Sequence, residues 1–132
     1  MSKERFQVGK KPTIVVTGCQ GDLVVRPWME LDVRAKGDYT VEELAEELVF
    51  EAAGDLVLNV PEGAGIHIKQ GQGDVVIRSI SGDVSLQEVL GDLILNNLNA
   101  VKVGHVAGDL VAKNLSDALS IQRVDGDIGA YS

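Results

Sequence analysis

Eight of the eleven aspartates directly follow a glycine, and from residue 73 the pair recurs every nine residues, at Gly73-Asp74, Gly82-Asp83 and Gly91-Asp92. Carboxylates at a fixed interval can bind a cation, serve as an acid or base, or shape the backbone. Nonapeptide rolls that bind calcium follow G-G-x-G-x-D-x-U-x, where two glycines bend the chain so that carbonyls and an Asp converge on the ion. The modules here have that length but a single glycine, immediately before the Asp. Dedicated calcium sites are therefore not expected, and no cofactor is. The pair suits a tight corner instead: glycine tolerates positive φ, and the aspartate accepts hydrogen bonds from nearby backbone N–H groups. If Asp55, Asp74, Asp92, Asp109 and Asp127 occupy one corner of successive coils, they form an anionic ladder whose neighbours repel by ~1 kcal/mol each in water. Backbone hydrogen bonds would offset that repulsion, and weak cation binding would relieve it.

The remaining chemistry-bearing groups are sparse. Cys19 is the single cysteine, so no internal disulfide forms, and without a His or Asn signature beside it it reads as a small core residue. His67 and His105 lack metal-ligand spacing. GQGD at 71–74 resembles part of a phosphate loop, but neither Lys-Ser/Thr nor a helix start follows. Carbohydrate-active β-helices gather Asp, Arg and Lys beneath long loops, whereas the loops here are short. No enzymatic activity is expected.

Those groups need a scaffold, and its form follows from the repeat. Cutting at each Gly-Asp, with one deletion, yields seven modules over 73–132: GDVVIRSIS, GDVSLQEVL, GDLILNNLN, AVKVGHVA, GDLVAKNLS, DALSIQRVD and GDIGAYS. Counted from the glycine, the third place is always apolar (Val75, Val84, Leu93, Val101, Leu110, Leu119, Ile128), and so are the fifth and the eighth. Places three and five share one side of a strand, and the break before place eight marks a bend that returns the chain inward. One such segment cannot bury its inner face alone, but copies stacked at ~4.8 Å can. The fold expected is all-β, a parallel β-solenoid (β-helix or β-roll), right-handed as parallel connections generally are.

The fourth place sets the coil. It is Val76, Ile94, Val111 and Gly129 in one set of modules, and Ser85, Lys102 and Ser120 in the alternating set. Each coil thus holds about 18 residues, one side apolar outside and the other polar. Upstream, GDLVVRPW and GDLVLNVP add Val24 and Val57 to the apolar stripe, and Asp32 and His67 are assigned to the polar side. Residues 1–12, with Lys3, Arg5, Lys10, Lys11 and Pro12, read as a tail or cap. A single domain is expected over 13–132, with irregular coils over 13–72, including EGAGIHIKQGQ at 62–72, and regular modules over 73–132. YTVEELAEELVF at 39–50 carries a capping-box pattern, but its strand-like flanks favour two strands joined by an acidic turn.

Composition agrees with one thin-walled domain. The chain has 132 residues, 45% hydrophobic but only 4% aromatic, so the core must be built from Val, Leu, Ile and Ala. A net charge of −8 argues against nucleic acid or an anionic membrane as partner. The charged opening MSKERFQVGKKP has no signal-peptide run, and no stretch approaches the ~18 apolar residues of a membrane span. The chain as given reads as cytoplasmic.

GDLVVRPW, GDYTVEE, GDLVLNVPEGAGIHI and the modules from Gly73 together resemble the adhesin-type family of β-strand (Gly-Asp) repeat proteins, with recurrent G-D-[VL]-x-[LIV] units, over the whole chain after about residue 12. That resemblance implies a right-handed β-solenoid and brings no catalytic residues. The expected role is a structural, self-associating scaffold that forms homo-oligomers laterally, through Val24, Val57, Val76, Ile94 and Val111, or end to end at the C-terminal coil near Tyr131. The alternative is an adhesin-like surface, where the polar side (His67, Ser85, Lys102, Ser120) meets a protein or glycan. Trp28 is the one aromatic available to stack on a sugar.

Overall fold

The computed structural model describes residues 5–7, 11–117 and 119–131, with backbone alone at 130 and 131. Among these residues every regular element is a strand. In chain order they are β1 (Arg5–Gln7), β2 (Thr13–Cys19), β3 (Leu23–Trp28), β4 (Asp32–Glu43), β5 (Glu47–Pro61), β6 (Gly65–Gly71), β7 (Val75–Arg78), β8 (Val84–Val89), β9 (Leu93–Asn96), β10 (Val101–Val106), β11 (Leu110–Lys113), β12 (Leu119–Val124) and β13 (Ile128–Tyr131). No described helix is long and apolar enough to cross a membrane.

Eleven strands form one parallel sheet, in the order β12-β10-β8-β6-β2-β5-β3-β7-β9-β11-β13, curving nearly into a barrel. β5 is the fold line. Its residues 47–52 pair with β2 and its residues 56–61 pair with β3, so one long strand serves both walls. The first wall continues through β6, β8, β10 and β12, the second through β7, β9, β11 and β13. From β6 and β7 onward paired positions recur at steps of 17 or 18 residues, as in Val76↔Ile94 and Ile94↔Val111.

Strand alternation sends every second side chain between the walls. Ile66, Val84 and Val101 line up from the first wall against Leu23, Val75, Leu93 and Leu110 from the second, all buried. Place eight of the modules turns inward as well, burying Ile80, Val89, Leu98 and Val106. In the last described rung the enclosure loosens: Ile128 is 55% exposed, although Leu110, its partner on the neighbouring strand, is 0%.

Two features differ from the sequence reading. Rungs do not stack in chain order, because β5 lies on the far side of the β2–β3 rung from β6 and β7. Residues 62–72 are also more regular than expected: after a turn, β6 pairs in register with both β2 and β8. The stretch 39–50 does hold two strands joined by an acidic turn, closed by Leu44 N–H donating to the Glu47 carbonyl.

The edge that β5 would present is covered. β4 runs antiparallel along it, and β1 pairs antiparallel with β4. Val33, Ala35 and Tyr39 of β4 point inward and, with Phe6 of β1, close this end of the stack. The Phe6 and Phe50 rings meet edge to face at 5.8 Å, and those of Tyr39 and Phe50 at 5.6 Å. The few aromatics are thus concentrated where parallel rungs give way to antiparallel ones.

Candidate functional site

The second wall carries three outward columns, each two residues from the next along every rung. The first is the aspartate ladder. Asp22 N–H donates to Asp55 Oδ1 at 2.8 Å, Asp74 N–H to Asp22 Oδ1 at 3.0 Å, and Asp92 N–H to Asp74 Oδ1 at 2.9 Å. Asp109 donates to Asp92 and Asp127 to Asp109, both at 2.9 Å. The structure therefore brings Asp55, Asp74, Asp92, Asp109 and Asp127 to one corner and inserts Asp22 between Asp55 and Asp74. Each carboxylate except that of Asp127 satisfies a backbone donor of the next rung, a charge-assisted bond that offsets the repulsion between neighbours.

The glycines at this corner have a different task from the one expected. Among the described glycines only Gly37 has positive φ, so the corner does not use glycine's left-handed freedom. It uses the missing side chain. A Cβ at Gly73 would lie 2.6 Å from Asp22 Oδ1 and 2.7 Å from the Gly21 carbonyl oxygen, and one at Gly91 would meet Asp74 and Gly73 at 2.6 Å each. The chain turns with positive φ at the opposite corner instead, at Ser79, Asn97 and Asn114, one above another. Asn97 there donates its amide to Ser79 Oγ.

The ladder makes a graded prediction. Asp74→Ala removes the acceptor of Asp92 N–H and should cost about 1 kcal/mol in urea unfolding. Asp74→Asn keeps the Oδ1 acceptor and removes one charge, and should be neutral or slightly stabilising. Among the described residues Asp127 Oδ1 accepts no such bond, so Asp127→Ala should be the milder alanine change.

The second column is the apolar stripe, ordered Val57, Val24, Val76, Ile94, Val111 and Gly129. The valines are half-buried by their neighbours, and Ile94 is 39% exposed. Lys36 of β4 pairs with Val57 and ends the stripe on the covered side. Tyr131 pairs with Lys113 through its backbone, and its side chain lies outside the described residues.

The third column was missed in the sequence. Arg34, Asn59 and Arg26 follow one another across paired strands, as do Arg78, Asn96 and Lys113, and Arg26 and Arg78 each follow the last paired residues of β3 and β7, Val25 and Ile77. Arg26 donates through Nε to Asn59 Oδ1 at 2.8 Å. The signal was available at module place six, which carries Arg, Asn or Lys in this alternate set until Tyr131 in the last module, but it reads there simply as a polar position.

On the first wall, Ser120, Lys102, Ser85 and His67 align as assigned. Asp32 does not join them: Val15 takes the next position of that row. Asp32 lies instead at the start of β4, where Arg5 Nη2 approaches Oδ2 at 2.8 Å. The displacement arises because β4 leaves the parallel stack to become its antiparallel cover. Trp28 belongs to the same cluster, with the Arg5 guanidinium 5.2 Å above its ring and its indole N–H donated to the Asp32 carbonyl. It is therefore remote in the fold from the polar row. That row lines a shallow groove of about 330 Å³, flanked by Asp83 and Ala100.

Two further clusters are structural. Cys19 is buried at the corner, its thiol facing the Gly21 and Gly54 carbonyls at 3.4 Å, and burial pushes its pKa up. His105 bridges Glu88, at 3.6 Å, and Asp125, at 3.0 Å. Hydrogen bonds from His105 and then Arg123 hold the Asp125 carboxyl below its ordinary range. Among the described residues no group of three or more His, Cys, Asp and Glu side chains is arranged to hold a metal ion.

No family model matches the chain, and no curated protein is significantly similar to it. The likeness to Gly-Asp repeat proteins therefore rests on the modules themselves.

Proposed function

We propose that the chain is a non-catalytic scaffold that works by associating with further copies of itself, as a right-handed parallel β-solenoid with about 18 residues per coil. The recurrence of paired residues at 17 or 18 from β6 and β7 onward supports that coil size, and the strong handedness preference of parallel connections supports the hand. The observation that carries the functional reading is the stripe. Five aliphatic side chains run unbroken across adjacent strands on the outside of a chain whose interior is already filled. A strand that needs only solubility would place polar residues there, as the first wall does with Ser85, Lys102 and Ser120.

Sedimentation velocity over a concentration series tests this. The wild-type chain should associate reversibly, and Val76→Lys with Ile94→Lys should leave it monomeric with an unchanged far-ultraviolet circular dichroism spectrum. A wild-type chain that remains monomeric at ~1 mM, far above the concentrations at which specific interfaces form, would overturn the reading. The groove beside His67 and Lys102 favours a second reading, a ligand-binding wall, which is spatially separate from the stripe.

A further inference from the structure

We propose that two copies pack stripe to stripe about a two-fold axis parallel to the stack, so that the aspartate ladder of each copy faces the cationic column of the other. This rests on the reading of the stripe as a self-association surface and specifies its partner, symmetry and register.

The stripe is the midline of its wall. On the rung of β7, Asp74 lies two residues before Val76 and Arg78 two residues after it, about 7 Å to either side along the strand. The same order recurs at Asp22-Val24-Arg26 and Asp109-Val111-Lys113. A face that is acidic on one margin, apolar in the middle and basic on the other is complementary to itself in only one of the two face-to-face two-fold arrangements. Rotation about the strand direction sets ladder against ladder and cation against cation. Rotation about the stack direction keeps stripe on stripe and sets Asp74 of each copy opposite Arg78 of the other. Such a contact is isologous and closes at two copies.

The outer positions beyond the stripe agree. Lys36 interrupts the apolar column at its covered end, so the contact is bounded there. The Arg78 side chain is exposed and makes no ion pair or hydrogen bond among the described residues, and Arg26 and Arg34 are exposed further along the same column. Six strands at ~4.8 Å spacing and five residues of width give a face of about 29 Å by 17 Å. The two copies together bury on the order of 1,000 Å², the low end of specific interfaces and the size of a reversible contact. Charge pairs at the margins then set the register of an association that the aliphatics drive.

Sedimentation equilibrium on the full chain tests the arrangement. Arg78→Glu should weaken dimerisation about tenfold or more, because both symmetry-related contacts turn from attraction to repulsion. Asp74→Asn placed in the Arg78→Glu chain should restore much of the loss while keeping the corner hydrogen bond, whereas Glu30→Gln, an equal charge change on the exposed loop after β3, should not. Circular dichroism and melting temperature establish that each variant folds. If Arg78→Glu dimerises like wild type, or if Glu30→Gln rescues as well as Asp74→Asn, the two-fold arrangement falls. Monomerisation by Val76→Lys with Ile94→Lys in that case leaves the stripe reading standing. If those lysines also change nothing, the stripe reading falls with it.

Discussion

Gly91→Ala should lower the melting temperature of the stack markedly, whereas Gly54→Ala should leave it nearly unchanged, although both glycines precede an aspartate in the same motif. At Gly91 a Cβ would lie 2.6 Å from Asp74 Oδ1 and 2.6 Å from the Gly73 carbonyl oxygen. The second of these is backbone, which cannot swing aside, so the rungs must separate at this corner. Separation breaks the 2.9 Å bond from Asp92 N–H to Asp74 and strains the pairing of β9 with β7. Overpacking of this kind costs about 3 kcal/mol, which in a chain of this size lowers the melting temperature by on the order of 10 °C. Gly54 has the same sequence neighbour but belongs to the rung under the antiparallel cover, and nothing lies within 4 Å of a Cβ built there. Its φ is not positive, so Gly54→Ala should range from neutral to about 0.5 kcal/mol stabilising through the unfolded state. Thermal melts of the two variants decide the matter. Equal destabilisation at both sites would mean that the glycines serve local backbone conformation and not rung contact.

Phe50→Ala should be the most damaging core truncation. The ring is 0% exposed, and it meets Phe6 and Tyr39 edge to face. Removing it loses transfer free energy, opens a cavity and breaks two aromatic contacts, for about 3–5 kcal/mol. The damage should be local as well as global. Phe50 joins the first parallel rung to β1 and β4, so limited proteolysis should cut the β4–β5 turn near Leu44 first. A variant that unfolds with a loss below about 1 kcal/mol would show that backbone pairing with β4, and not the aromatic cluster, seals this end.

Much of the wall structure was legible along the chain. Alternation at places three and five identifies Val75, Leu93 and Leu110 as inward-facing, because consecutive side chains of an extended strand must point to opposite sides whatever the strand packs against. The two classes of place four separate the apolar stripe from the polar row for the same reason. Asp32 was misassigned because the module count was carried through a segment that leaves the stack, and nothing local at Leu31-Asp32-Val33 announces an antiparallel strand. Asp22 was absent from the expected ladder because its neighbours, Asp55 and Asp74, are 33 and 52 residues away in sequence.

The amino-acid order by itself determined which side chains face inward, where the chain bends and which wall is apolar outside, since these follow from strand geometry within a single module. Only the tertiary structure decided that β5 carries both walls beneath an antiparallel cover, that the corner glycines make room for the preceding rung, and that acidic, apolar and basic columns lie side by side over successive rungs. The physical reason is that these features depend on which backbone edges remain unpaired once distant segments have met, and identical Gly-Asp pairs meet different neighbours at different heights in the stack.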